Sequence, residues 1–373
     1  MRPLEGIMVL DFSTLLPGPL ATLLLAEAGA EIIKIERPGS GDEMRRYTPK
    51  FGDGSVNFAL LNRGKRSIAI DLKAPGAAGR LDALLRRADV VVEQFRPGVM
   101  ERLGLGYAQL KAINPRLVYC AITGHGSSGA RAQDAGHDLN YLAETGMLLL
   151  SAGADGAPVL PPALIADIGG GAYPAVINIL LALQRRAATG EGCRLDVSMA
   201  DNLFALMYGE IGNGQVAGEW PRPGDGHTTG GSPRYQIYRT ADDRFVAAAP
   251  LEDRFWANFC AAIGLGPPLC EDARAPSATR DAVASLIRAA PAAEWQRRFA
   301  GKDVCCAVAA TLEEAMRDSH FAARGLFDWS LSSATGRIAA IPVPVAPEFR
   351  APPGDAQAPA LGEANALLGD ETT

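Results

Sequence analysis

The first forty residues restrict the architecture most. IMVLDFS (7–13) is a short apolar run suited to a buried strand, a Pro-Gly-Pro break follows at Pro17–Pro19, and LATLLLAEAGA then reads as a helix ending near Gly29. EIIKIE (31–36) is a second strand. Strand, helix and strand within about thirty residues form a βαβ unit, which requires a parallel sheet and a right-handed crossover. The pattern repeats: SIAIDL (67–72) is strand-like, AAGRLDALLRRA (77–88) an amphipathic helix and DVVVEQF (89–95) a strand. MERLGLGYAQLKAI (100–113) is expected to be helical and RLVYCAIT (116–123) a strand. A doubly wound α/β domain is the expectation.

From Gly124 to about Pro162 the sequence is irregular and Gly-rich. A long apolar helix is expected from Asp167–Gly171 to Gly190, then a strand at CRLDVSM (193–199) and helical DNLFALMYGEIG. Residues 213–233, rich in Gly, Pro and Thr, read as a loop or linker. A second unit follows, with YQIYRT and RFVAAAP as paired strands around Ala241–Asp243 and helices at RFWANFCAAIG and DAVASLIRAA. Short strand-like pieces such as RIAAIPVP and a Pro/Ala-rich tail close the chain.

Charge narrows the function classes. The 36 Lys+Arg against 42 Asp+Glu give a formal net charge of −6, so neither nucleic acid nor an anionic membrane is an expected partner. No apolar run approaches the ~18–20 residues that cross a bilayer, and a signal peptide is not expected from an N-terminus carrying Glu5 and Asp11. The six cysteines lack a C-x-x-C or framework spacing and read as reduced thiols of a cytoplasmic protein. Four isolated histidines give no metal spacing, so no metal is expected.

GHGSSG (124–129) matches G-x-G-x-x-G, but ARAQDAGHDLNY after it is a poor amphipathic helix, so a plain glycine-rich loop is expected there. Two segments keep chemical potential. AGHDLNYLAETG carries His137 and Asp138, with a loop histidine as the bland alternative. LIADIGGGAYPAV carries Asp167 at a helix start, where an ordinary N-cap is the bland alternative. The three glycines after Asp167 let a ligand approach the backbone, and free N–H groups at a helix start could hold an oxyanion, with Gly169 and Gly170 as the donors. Glu252 in LEDRFW stands between a strand and a helix of the second unit, as a solvated or capping residue when read in isolation. Arg37, Arg63, Lys65 and Arg96 follow or flank strands of the parallel sheet, where cations suit a phosphate or simply face solvent.

The segments VLDFSTLLPGPLATLLLAEAGAEIIKIERPG, NRGKRSIAIDLK, VVVEQFRPGVMERLGLGY, NPRLVYCAITGHG, AGHDLNYLAETG, ADIGGGAYPAVINILLALQRR, GGSPRYQIYRTADDRF and PALGE together resemble the class III CoA-transferase family, also called the carnitine dehydratase and bile-acid-inducible F family. The resemblance runs along essentially the whole chain and is closest in motif to the α-methylacyl-CoA racemases. It implies a Rossmann-like large domain with a parallel sheet, a smaller α+β domain, and an interlaced homodimer whose active site lies between one chain's large domain and the other's small domain. The implied organisation is 1–212 for the N-terminal part of the large, CoA-binding domain, 213–325 for the small domain with its linkers, and 326–373 for a segment returning to the large domain.

Two reactions follow from the resemblance. In a racemase, His137 and Asp167 would exchange the α-proton of a 2-methylacyl-CoA, with Glu252 partnering His137. In a CoA-transferase, Asp167 would be the nucleophile that forms an acyl anhydride. The intact His137, Asp167 and Glu252 set resembles racemases, whereas RRYTPKFGDGSVNFALLNRGKRS, the SPRY segment and PALGE resemble transferases; only GDGHTTGG (224–231) stands where some transferases carry a flexible glycine-rich loop. A CoA-binding protein without catalysis is a third, minor reading. In every case CoA enters as part of the substrate and no separate cofactor is expected, with Arg37, Arg63, Lys65 and Arg96 assigned to its phosphates by similarity of segment.

Overall fold

In the computed structural model, which describes residues 1–153 and 155–368, the chain divides into two compact units. One comprises Met1–Thr145, Pro161–Leu206 and the C-terminal stretch from Ala322; the other comprises Gly146–Leu160 and Met207–Phe321. The last five residues of the expected returning segment, 369–373, lie outside the described residues.

The first unit is built on six strands: β1 (Met8–Asp11), β2 (Glu31–Glu36), β3 (Arg66–Ala69), β4 (Val90–Glu93), β5 (Val118–Thr123) and β6 (Cys193–Ser198). All neighbours pair in parallel, in the order β3-β2-β1-β4-β5-β6. This is the doubly wound nucleotide-binding order, whose crevice opens where the winding reverses, between β1 and β4. The central strands β1, β4 and β5 are buried throughout and mostly apolar because both faces are covered, whereas edge strand β6 keeps exposed polar positions. Val9, Leu10, Ile33, Val91 and Ile122 have essentially no exposure.

Helix α1 (Pro17–Glu27) crosses from β1 to β2, and α2 (Val56–Asn62) precedes β3, its first turn capped by the Ser55 hydroxyl. Further along lie α3 (Asp138–Glu144), α4 (Tyr173–Thr189) and α5 (Met199–Leu206). A π-helical turn, Ala166–Ala172, runs directly into α4. Two expected helices are broken. Residues 77–88 form Ala77–Arg80 and Asp82–Arg87, and residues 100–113 form Val99–Arg102 and Tyr107–Ile113, with Gly104 at φ +75° in the gap. Gly adopts that left-handed conformation without steric cost, and periodicity cannot register it. The helix Tyr208–Ala217 also extends into the expected linker.

The combined helix Ala166–Thr189 is long and apolar enough to cross a membrane by length and composition alone, which reading individual apolar runs did not reveal. Here it is built into the sheet unit. Ala175, Ile179 and Ala182 are buried, and Arg186 pairs with Asp89 at 2.8 Å.

The C-terminal stretch adds a small sheet to the same unit: β10 (Ser330–Ser333), β11 (Gly336–Ala339) and β12 (Asp355–Ala356). It is anchored by Ala364 N–H donating to the Ser67 carbonyl and by Arg350 reaching Glu27 at 2.9 Å.

The second unit is α+β. Strands β7 (Gln236–Arg239), β8 (Phe245–Ala248) and β9 (Cys306–Val308) form an antiparallel sheet with β8 central. Helices α6 (Asp253–Ile263), α7 (Pro276–Arg288) and α8 (Ala292–Phe299) cover it. In α6 the apolar residues Trp256, Phe259, Cys260 and Ile263 recur at helical spacing and are all buried, in one core with Trp295 and Phe299.

Candidate functional site

Two cavities open at the carboxyl ends of the parallel strands, where ligands of open α/β sheets bind. The first, of about 510 Å³, is walled by Leu15 and Pro17 after β1, Gln94–Pro97 after β4, and Ile122–His125 at the end of β5, together with His137, Tyr141 and Asp167. The second, of about 960 Å³, is walled by residues following β1, β2, β3 and β4, including Thr14, Arg37, Lys73 and Arg102. Phe95 lines both, so the two are neighbours across the loop that follows β4.

His137 and Asp167 reach the first cavity from different elements. His137 stands at the N-cap of α3 in an extended conformation, and its backbone N–H donates to the Asn140 side chain at 3.0 Å. The next residue, Asp138, is buried and serves another helix: its Oδ1 accepts from Ala166 N at 2.6 Å and from Asp167 N at 3.0 Å. A carboxylate thus occupies the positive end of the π-turn and α4, the favourable place for an anion. Asp167 is therefore the capped residue, not the cap. Burial pushes its carboxyl up to about 6, the negative Asp138 adds to the rise, and His137 opposes it. Such a group exchanges protons readily near neutral pH.

A buried charge network holds the wall contributed by β1. Lys65 Nζ meets Asp11 Oδ2 at 3.2 Å, and Lys34 Nζ meets Asp42 at 3.0 Å and the Ser13 carbonyl at 2.7 Å. Burial alone would raise the Asp11 carboxyl, but the two ammonium groups hold it at about 2. Asp42 also accepts from the N–H of Leu15, a cavity residue at φ +62°. A non-glycine residue in that region is held there by its surroundings. In the neighbouring strand β4, Glu93 accepts from Phe95 N at 2.7 Å, and burial raises its carboxyl to about 7.

Residues 4–365 match the sequence pattern of CoA-transferase family III. The chain belongs to that family. It is 34% identical over 364 residues to alpha-methylacyl-CoA racemase of Homo sapiens, covering 96% of this chain and 91% of the relative. It is also 35% identical over 304 residues to acetyl-CoA:oxalate CoA-transferase of Acetobacter aceti, covering 79% and 77%. Among solved structures, a CAIB/BAIF family protein from Brucella suis superimposes with a TM-score of 0.82 at 28% identity over 98% of both chains. Rv3272 from M. tuberculosis gives 0.83 at 28% identity over 99% of both. Family III members are racemases and CoA-transferases, so this chain is an enzyme.

Within this family III enzyme the expected site residues fall into groups. His137, Asp167 and Arg96 line the first cavity and Arg37 the second. Arg63 and Lys65 do not face either one. Arg63 is buried against Glu27 at 2.7 Å, and Lys65 is enclosed by Asp11, Thr22, Asn62 and the Pro19 carbonyl. Both cations are spent inside the fold, and Lys73 and Arg102 stand at the second cavity instead. Glu252 belongs to the second unit, exposed at the N-cap of α6.

The glycines after Asp167 serve packing. A Cβ on Gly170 would lie 2.2 Å from the Met199 carbonyl oxygen, and one on Gly171 would crowd Met199 and Pro17 at 3.0–3.1 Å. The first two amides of this helix start, those of Ala166 and Asp167, are taken by Asp138. Gly170 is buried and Gly169 partly exposed, so an oxyanion role for this pair loses its geometric basis at Gly170.

Two cavity residues, Tyr141 and His125, carry no role in the sequence reading. Asp138 is named there beside His137, but its cap is long-range. Tyr141, whose hydroxyl donates to the Gly136 carbonyl at 2.7 Å, follows His137 by one helical turn. His125, two residues past β5, carried the available signal of a polar side chain at a parallel strand end.

Proposed function

We propose that this family III enzyme acts on acyl-CoA thioesters held across the two cavities, as an α-methylacyl-CoA racemase. The observation that carries the reading is the Asp167 carboxyl, raised to about 6, in the same cavity as His137. A thioester α-proton is a weak acid, and its removal leaves an enolate that either face can reprotonate. Each direction needs a base on one face of the enolate, and a carboxyl raised to about 6 both takes up and releases a proton near neutral pH. One group removes the proton and the other returns it, inverting the α-carbon. The nucleotide end of CoA is assigned to the larger cavity, with Arg37, Lys73 and Arg102 as the phosphate cations. Arg96 lies nearer the reacting end.

The test is α-deuterium incorporation from D2O into one enantiomer of a 2-methylacyl-CoA. Wild type is expected to incorporate label and racemise, and His137→Ala to suppress both. Full retention of both activities in the variant would eliminate the two-base scheme.

A CoA-transferase is the second reading, favoured by the same carboxylate and by similarity to acetyl-CoA:oxalate CoA-transferase. Asp167 would then attack the thioester carbonyl and carry the acyl group as a mixed anhydride. Transfer of CoA to free acids, with an acyl-Asp167 adduct trapped by hydroxylamine, would replace the racemase reading.

We further propose that a second copy of the chain covers the apolar surface made by Tyr173, Ile177, Leu180 and Leu181 of α4 with Phe204 and Leu206 of α5, all exposed here. Sedimentation at micromolar concentration should give a dimer; a monomer would remove this part of the reading.

A further inference from the structure

The cavity holds a second imidazole, and this one has a carboxylate partner. His125 lines the same wall as His137, Tyr141 and Asp167, its side chain only 7% exposed. Its Nε2 lies 2.6 Å from Glu144 Oε2, and the ring stands edge-on to Tyr141 with centroids 5.2 Å apart. Arg131 Nη1 reaches the same Glu144 oxygen at 3.2 Å. The hydrogen bond from His125, with the charge of Arg131 behind it, keeps the Glu144 carboxyl below its ordinary value. An ionised carboxylate only accepts, so Nε2 carries the hydrogen, and in the ring's neutral form the lone pair lies on Nδ1. Among the described residues no group bonds Nδ1. An imidazole oriented through one nitrogen and unpartnered at the other is the arrangement of a general base. Neither proton transfer at the α-carbon nor attack by Asp167 uses it.

We propose that the enzyme also hydrolyses acyl-CoA thioesters, with His125 as the general base and Glu144 as the residue that positions it. The proposal rests on the reading that an acyl-CoA occupies this cavity. Water adds its oxygen to the thioester carbonyl carbon while one of its protons passes to His125 Nδ1. The C–S bond then breaks, the electron pair leaves with sulfur, and the imidazolium returns the proton to the CoA thiolate. Acyl-CoA and water become a carboxylic acid and free CoA, with no oxidation or reduction.

The experiment follows free-thiol release over many turnovers from a 2-methylacyl-CoA, with no acceptor acid present, using the full-length chain. α-Deuterium incorporation is followed in parallel. Wild type is expected to release thiol above the buffer rate and more slowly in D2O, and His125→Phe, which keeps an aromatic ring against Tyr141, to lower release by about 10²-fold. Because that ring is packed, Glu144→Gln at a partly exposed position provides an independent reading. It should lower kcat for thiol release, less than His125→Phe does, and leave KM unchanged. Thiol release that persists in both variants overturns the role of His125. Label incorporation by wild type without thiol release overturns the hydrolysis and leaves the acyl-CoA reading intact. Absence of label incorporation, thiol release and acyl-CoA binding in wild type overturns both.

Discussion

Burial and the negative charge of Asp138 keep the Asp167 carboxyl near 6, well above the ordinary aspartate range, and that has consequences for stability as well as chemistry. A carboxyl whose folded value is raised binds its proton more tightly folded than unfolded. Folding is therefore favoured by this group at low pH, loses that contribution as pH rises through about 6, and carries the full penalty above it. Asp167→Asn removes the charge, so the variant should have a higher denaturation midpoint than wild type at pH 8 while losing turnover, and the stability gap should shrink as pH falls below about 6. Urea melts at the two pH values check this; an equal or lower midpoint at pH 8 would contradict it. At this scale the sequence was informative about identity and poor about environment. His137 and Asp167 were legible from their segments, but that Asp138 caps the Asp167 helix depends on a contact across 29 positions. Arg63 and Lys65 failed for the same reason. A cation beside a strand end looks alike in sequence whether it faces a ligand or an interior carboxylate such as Asp11 or Glu27.

At the level of elements, the π-turn and α4 are fixed at their start by Asp138 and along one side by contact with α5. Asp138→Asn keeps an acceptor for the Ala166 and Asp167 amides but removes the charge. The acid limb of the rate profile, where Asp167 must be ionised to accept a proton, should then move to lower pH, since one cause of the raised value is gone. A limb that stays in place would show burial alone to be responsible. Gly170→Ala probes the side contact. With 2.2 Å to a backbone oxygen, the added methyl forces the π-turn and the start of α5 apart, and overpacking of this kind costs about 1–3 kcal/mol. A lower urea midpoint together with lost activity is expected, read by circular dichroism and label incorporation. The helix beyond Asp167 was legible from its apolar length, whereas the use of its glycines was not, because three small residues suit a ligand and a neighbouring helix equally well. The strands are the most legible: EIIKIE is β2 with the same bounds, marked by its β-branched Ile32, Ile33 and Ile35, although the burial of Lys34 within it is not visible in sequence.

For the molecule as a whole, the chain leaves the sheet unit after Leu206 and rejoins it at Ala322, and something must hold the returning stretch in place. Glu27, at the end of α1, does so as one carboxylate between two buried guanidiniums. It accepts from Arg63 Nε at 2.9 Å and from Arg350 Nε and Nη2 at 3.0 and 2.9 Å, while Arg63 Nη2 also donates to the Ile341 carbonyl. The arrangement joins α1, the end of α2 and the C-terminal stretch at one point. Its sequence signature is nearly absent, because the partners are separated by 36 and 323 positions. Glu27→Gln removes the carboxylate charge that the two cations share. Breaking a buried pair by deleting one partner costs about 3–5 kcal/mol, far more than the ~0–1 kcal/mol of a surface pair. The variant should therefore unfold at a clearly lower urea concentration, and the stretch beyond Ala322 should be the first cut by limited proteolysis. Surface pairs such as Arg86 with Asp82 serve as the control, since Asp82→Asn should leave both measurements unchanged. If Glu27→Gln behaved like that control, the C-terminal stretch would have to be held by its other bonds, such as those with Arg45, Gly52, Gly64, Ser67 and Ala69, and the three-way ion pair would be a consequence of the closure instead of its cause.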